Sequence, residues 1–180
     1  MRKDRDSKET SKCALIPLDV ILPRIGTQKL DGLVWHKARI HKHAFSTWLF
    51  VLDRNPTLDR LLRWGCDVEQ TCLLCVSAEV WRMVLALLHF PTPPTSWNSI
   101  LLWLPGASND KFMRLALLQA WQACIYEIWR ERNRRFHDGI SFSPTKIFHL
   151  VRSVVRIRAQ SLCSRNSDYV SLLLCWSSPP

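Results

Sequence analysis

The feature that most constrains this chain is a long helix written between Asn109–Asp110 and Gly139. Asn109 or Asp110 supplies a start signal and Gly139 a stop. Between them Leu117, Trp121, Cys124, Ile125, Ile128 and Trp129 recur at three-to-four spacing and form one apolar stripe. The last turns read RERNRR, from Arg130 to Arg135, where cations suit the negative end of the helix dipole. A second helix opens at Ser143-Pro144, a capping residue followed by proline at the first helical position. Its residues Ile147, Phe148, Val151, Val154 and Val155 face inward, with Arg152 and Arg156 stacked on another side. Burying Trp121, Trp129, Phe148 and Val151 together gives the C-terminal half its core.

The rest of the chain reads less clearly. Residues 13–34 hold short apolar pieces cut by Pro17, Pro23, Gly26 and Gly32, which suits loop or a short strand. From His41 to Asp53 the pattern is helical, with Ala44, Phe45, Trp48, Leu49 and Leu52 on the apolar side. Thr57 caps a second short helix carrying Leu58, Leu61 and Leu62 and ending at Gly65. Another helix covers about Ala78 to Leu88, with Val80, Trp81, Val84, Leu85 and Leu88 on one side. PTPPTS, from Pro91 to Ser96, is an extended break before a short apolar segment from Trp97 to Leu104. The tail from Ser164 has an apolar run that either packs or frays. No strand signal of useful length alternates with these helices, so the class is mainly α.

Composition excludes several functions. Of 180 residues only five are glycine, and no GxGxxG or GxxxxGK[ST] pattern occurs, so no phosphate-cradling loop is expected. No apolar stretch of about 20 residues escapes proline or charge, so no membrane-spanning helix is expected. The polar start lacks a following apolar run, so no signal peptide is expected and the seven cysteines read as intracellular thiols or metal ligands. No two Asp or Glu residues are adjacent, and no paired carboxylates suit two-metal polymerase or nuclease chemistry. A serine elbow is absent as well.

The net charge of +10 is concentrated. Residues 110–165 hold eleven basic and four acidic side chains, net +7. Such a block attracts phosphate backbones or acidic surfaces, and the plainer alternative is a solvated face. Lys37, Arg39 and Lys42, in the run KARIHKH, add a smaller basic patch.

The main chemical signature is Cys72-Leu-Leu-Cys75, preceded by Cys66. CxxC sets two thiolates on a tight turn, half of a tetrahedral zinc site. The second pair expected within about 10–20 residues does not occur. The next donors are His89, at the end of an apparent helix, and Cys124. Cys66, Cys72, Cys75 and His89 make a Cys₃His set only if His89 folds back from a helix that points it away. The alternative is a buried or incidental thiol pair. His36, His41, His43, His137 and His149 read as surface or core histidines.

Several segments together suggest a family. Val34-Trp35, IHKHAFSTWL (Ile40 to Leu49), NPTLDRLLRWG (Asn55 to Gly65) and CLLC (Cys72 to Cys75) resemble the zinc-binding region of plant non-LTR (LINE-type) retrotransposon reverse transcriptases. SAEVW (Ser77 to Trp81), the spaced Trp97 and Trp103, and IWRERNRRFH (Ile128 to His137) resemble the segment C-terminal to that region in the same elements. The likeness therefore runs from about Leu33 to Leu162. In the family a His-Leu-Phe-Phe-x-x-Cys segment comes between the CxxC and the VW. Here the chain passes from Cys75 through Val76 to SAEVW, so only Cys72 and Cys75 carry over as zinc ligands.

The resemblance implies a small, irregular, zinc-knuckle-like N-terminal part followed by a helical bundle. The expected organisation is a poorly ordered lead (1–30), an incomplete zinc-binding-like region (31–90), a Pro-rich linker with a short helix (91–108), a two-helix basic region (109–163) and a tail (164–180). It also implies a non-catalytic remnant of an RNA-directed DNA polymerase, without polymerase, endonuclease or RNase H carboxylates and intracellular, in the nucleus where it acts. Zinc would be held by a half-site at most. Nucleic acid would be bound through Lys37, Arg39, Lys42, Arg130, Arg132, Arg134 and Arg135. The rival expectation is a structural or interaction protein whose Trp-rich helices bury against a partner or a second copy.

Overall fold

A computed structural model of the chain describes residues 27–55 and 73–177. Within these residues the fold is mainly α, as the periodicity suggests, and contains no strand. Seven α-helices occur in order: α1 (Thr27–Val34), α2 (His41–Val51), α3 (Leu73–Leu87), α4 (Trp97–Trp103), α5 (Lys111–Asp138), α6 (Pro144–Cys163) and α7 (Val170–Cys175). Short 3₁₀ turns at Leu104–Gly106 and Ser167–Tyr169 precede α5 and α7. None of these helices is long and apolar enough to cross a membrane. The lead, the short helix expected from Thr57 to Gly65, Cys66 and Cys72 lie outside the described residues.

Helix α5 organises the rest because its ends are fixed locally and its middle is enclosed. The Asp110 carboxylate accepts from the Met113 N–H at 2.6 Å, satisfying an orphan donor of the first turn. At the far end Gly139 takes the left-handed conformation (φ 66°), and its N–H donates to the Arg135 carbonyl. Ser143 likewise caps α6, accepting from the Lys146 N–H, with Pro144 in the first turn. Every residue from Ala116 to Cys124 is buried, so α5 is surrounded on all sides rather than along one stripe. Helices α1, α2, α3, α6 and α7 all pack on it, and α6 also packs on α3 and α7. Trp121, Phe148 and Val151 share the core as expected, while Trp129 is half-buried.

Enclosure forces polar residues of α5 indoors, and they find partners there. Gln122 donates through Nε2 to the carbonyls of Leu33 (3.1 Å) and Val34 (2.8 Å), the last two of α1. A helix end leaves such carbonyls unsatisfied, so a glutamine 88 residues away acts as its C-terminal cap. Gln119 donates to the Ala38 carbonyl at 2.8 Å and accepts from Trp176 Nε1 at 3.0 Å.

Three sequence expectations change here, and the open alternative for the tail is decided. Residues 27–34 are helix, not loop or strand, although Gly32 sits inside it. On α2 the buried side chains are His43, Ala44, Thr47 and Val51, while Phe45 points outward. Helix α3 runs from Leu73 and so includes Cys75, which leaves that half of the CxxC in helix rather than on a knuckle-like turn. The tail packs rather than frays: Leu172 and Trp176 are fully buried.

Candidate nucleic-acid interface and the cysteine motif

The cysteine motif does not assemble into a site among the described residues. Cys75 occupies the first turn of α3, and His89 comes after the last turn, exposed and in the left-handed conformation (φ 63°). Between Cys75 and Leu87 the helix rises about 18 Å at ~1.5 Å per residue. The helix therefore sets the backbone of Cys75 and that of His89 at its opposite ends. Of the Cys₃His set, Cys66 and Cys72 lie outside the described residues. No group of three His, Cys, Asp or Glu residues is placed to hold a metal among the described residues. Cys124 is buried, and its thiol is pushed far above the ordinary range by that burial and by the nearby Glu127 carboxylate. It is a packing residue and a poor nucleophile.

The basic residues are sorted by the fold into two kinds. Glu131, buried to 1% exposure, binds Arg134 Nη1 at 2.6 Å and Arg135 Nε at 2.7 Å. The same carboxylate accepts from the Phe142 N–H at 2.7 Å, which ties the end of α5 to the start of α6. Arg134 also lies over the Phe142 ring at 3.8 Å, and Lys146 over the same ring at 3.6 Å. Arg134 and Arg135 are thus a clamp on the α5–α6 turn, with their charge shared with Glu131. Arg132 is half-buried, and burial lowers its basicity. Replacing Glu131 with glutamine is expected to cost about 3 kcal/mol, because buried ion pairs broken on one side leave the partner uncompensated. Thermal unfolding measures this; a loss below about 1 kcal/mol would show that the clamp carries little.

The second kind faces outward where α2 meets α5. Lys42 Nζ lies 5.1 Å from the Tyr126 ring centroid, and Arg130 Cζ lies 5.9 Å from it. His43 stacks on the same ring at 4.5 Å, and Trp129 leans against it at 5.9 Å. The two basic patches that are far apart in sequence thus converge on one tyrosine, which sequence alone did not mark. Arg130 also pairs with the buried Glu127 at 3.0 Å, but its own side chain is 43% exposed. Lys37 and Lys42 are exposed, and beside them stand two exposed aromatics, Trp35 (40%) and Phe45 (52%). Lys42 and Phe45 lie one turn apart on the outer face of α2. Arg39 turns inward instead, donating through Nη1 to the Trp35 and His36 carbonyls at 3.0 and 3.1 Å.

Two histidines lie beneath this surface. Burial lowers the pKa of His36 to about 4, with Arg39 and Arg158 adding repulsion. His43 is likewise lowered to about 4 by burial, then by Lys42 and Arg130. Both are neutral core residues near pH 7.

A third basic segment lies within the net +7 block of residues 110–165. From Gly139 to Ser167 the chain carries Lys146, Arg152, Arg156, Arg158 and Arg165 and not one acid.

Comparison with known proteins gives one relation. Residues 19–85 match the family model for zinc-binding in reverse transcriptase. No curated protein and no solved structure matches the chain. The match begins before α1 and ends at Leu85 inside α3, so α4 to α7 lie beyond it. Residues 19–85, which include α1 and α2, are thus similar to the zinc-binding region of reverse transcriptases, a likeness that supports a retroelement origin.

Proposed function

We propose that the chain is a non-catalytic remnant of a plant LINE-type retrotransposon's RNA-directed DNA polymerase, and that it holds single-stranded nucleic acid without reading its sequence. The observation that carries this reading is that exposed cations and exposed aromatics alternate along one stretch, Lys42 and Phe45 one turn apart on α2 and Trp35 and Lys37 two residues apart before it. Lysines neutralise phosphates, and aromatic faces accept any base by stacking, which is the combination single strands require. Arg130 extends the positive surface from α5. The match to a zinc-binding family supports the origin, and Cys72 and Cys75 are the zinc ligands this reading retains.

Retention of a single-stranded oligonucleotide across a salt series tests the proposal. Affinity should fall as salt rises, and replacing Lys37 and Lys42 with glutamine should flatten the slope by about 0.7 for each phosphate no longer neutralised. Phe45→Ala should weaken binding about tenfold at every salt concentration, since one base–aromatic stack is worth ~1–3 kcal/mol. Absence of binding at low salt, or binding indifferent to salt, overturns the proposal. A stable dimer without retention would favour the interaction-protein alternative.

A further inference from the structure

We infer that the outward face of α6 is a docking surface for double-stranded DNA, held through the phosphates that rim its major groove. This goes beyond the single-strand reading and uses none of its residues, since Trp35, Lys37, Lys42 and Phe45 lie on α2 or just before it.

Three observations point there. First, this face is hollowed. A concavity of about 300 Å³ is lined by His149, Arg152, Ser153, Arg156, Ile157 and Gln160. They recur at three-to-four spacing, so one side of a single helix supplies them all. Five of the six bring polar groups, and no carboxylate lines the hollow. Arg152 and Arg156 stand one turn apart, about 6 Å along the axis.

Second, the charge on α6 is one-sided. The helix carries Lys146, Arg152, Arg156 and Arg158 and no acid. A face that is merely solvated usually alternates signs, so that residues one turn apart neutralise each other. Helix α5 does this, pairing Arg130 with Glu127 and both Arg134 and Arg135 with Glu131. Helix α6 supplies no such partner, and among the described residues Arg156 pairs with no carboxylate. A field of this kind draws in a polyanion.

Third, the chemistry of the face selects among polyanions. Ile147, Phe148, Val151, Val155 and Ala159 are buried, so α6 is held from behind and presents its outer residues at fixed spacing. Ile157 is the one aliphatic side chain in the hollow, too little for a lipid surface or a helical partner, each of which needs an apolar stripe. No Trp, Tyr or Phe lines it, and the His149 ring already packs against Phe148 at 5.3 Å, so an unpaired base finds no platform. Double-stranded DNA requires neither stripe nor platform. Its major groove, ~12 Å wide, admits an α-helix. The arginine forks suit its phosphates, and Ser153 and Gln160 add neutral hydrogen-bonding groups.

The test is retention of a short DNA duplex of random sequence by the full chain across a salt series. The wild type should bind at low salt and weaken as salt rises. Arg156→Gln should lower the salt slope by about 1. The double substitution Ser153→Glu/Gln160→Glu sets like charge against the phosphates and should weaken duplex binding about tenfold. All three residues are exposed, so each variant should melt within about 2 °C of wild type. Phe45→Ala, which tests the single-strand reading, should leave duplex affinity within about twofold, because stacked bases offer no free face. Duplex RNA, whose deep and narrow major groove excludes a helix, should be held more weakly. The inference is overturned if wild type holds no duplex at low salt, if both α6 variants keep wild-type affinity, or if duplex RNA binds as tightly as DNA. Capture by phosphatidylserine vesicles that both α6 variants abolish, with duplex binding unchanged, would overturn it in favour of a lipid surface. Duplex binding as expected without single-strand retention sinks the single-strand proposal and leaves this inference standing.

Discussion

Acidification from pH 7 to pH 4 is expected to destabilise this helical body strongly, and His36 and His43 are the reason. Both are buried and neutral, with their pKa values lowered to about 4. In the unfolded chain each returns to about 6.5, so between these values the unfolded state binds more protons than the native state. Stability is then fully present above pH 6.5, falls as pH drops towards 4, and loses nothing further from these groups below that. Each histidine contributes a loss of roughly 3 kcal/mol, at ~1.4 kcal/mol per unit of pKa difference. Two together remove about 6 kcal/mol, comparable to the ~5–15 kcal/mol that holds a domain of this kind. The neighbouring cations act in the same direction: Arg39 and Arg158 face His36, and Lys42 and Arg130 face His43. Melting temperature against pH measures the effect. His43→Phe keeps a ring to stack on Tyr126 and removes the titrating group, so its melting temperature should fall less steeply on acidification. A wild-type profile flat from 6.5 to 4, or one unchanged by His43→Phe, would refute the assignment.

Trp176→Ala is the single substitution expected to cost most, about 3–5 kcal/mol from cavity formation alone. Trp176 has no exposed surface and packs into the main core with Leu172. Its indole N–H donates to Gln119 Oε1, so truncation also leaves a buried acceptor without its donor. The melting temperature should fall by about 10 °C for a chain of this size. Trp176→Phe restores most of the volume but not the hydrogen bond, and should cost about 1–2 kcal/mol. A loss below about 1 kcal/mol for the alanine variant would show that the C-terminal segment is an appendage.

The elements legible in the sequence are those whose ends carry their own signals. Asp110, Gly139 and Ser143-Pro144 place the boundaries of α5 and α6 because capping is local chemistry. Helix α1 was illegible because what satisfies its last carbonyls is Gln122, brought in from another helix. The face of α2 was misread for a related reason. Periodicity counts apolar side chains, but here His43 and Thr47 go inside while Phe45 stays out.

The candidate surface was legible in its parts and not in its assembly. Lys42 and Arg130 were both marked, but their meeting at Tyr126 depends on packing between α2 and α5. The clamp formed by Arg134 and Arg135 had a readable signal, since Glu131 stands three and four residues before them. Reading the run as free cations passed over that spacing.

The central position of α5 separates the unit of resemblance from the unit of folding. The segment similar to reverse transcriptase zinc-binding regions ends at Leu85, yet Leu33, Ala38 and Val51 belong to a core completed by residues after position 100. The Ala38 carbonyl and the Trp176 indole share one carboxamide, that of Gln119. Cut out at the boundaries of that resemblance, the N-terminal segment would leave its supports behind. Its helices are tenants of a building whose central beam stands outside the matched plot.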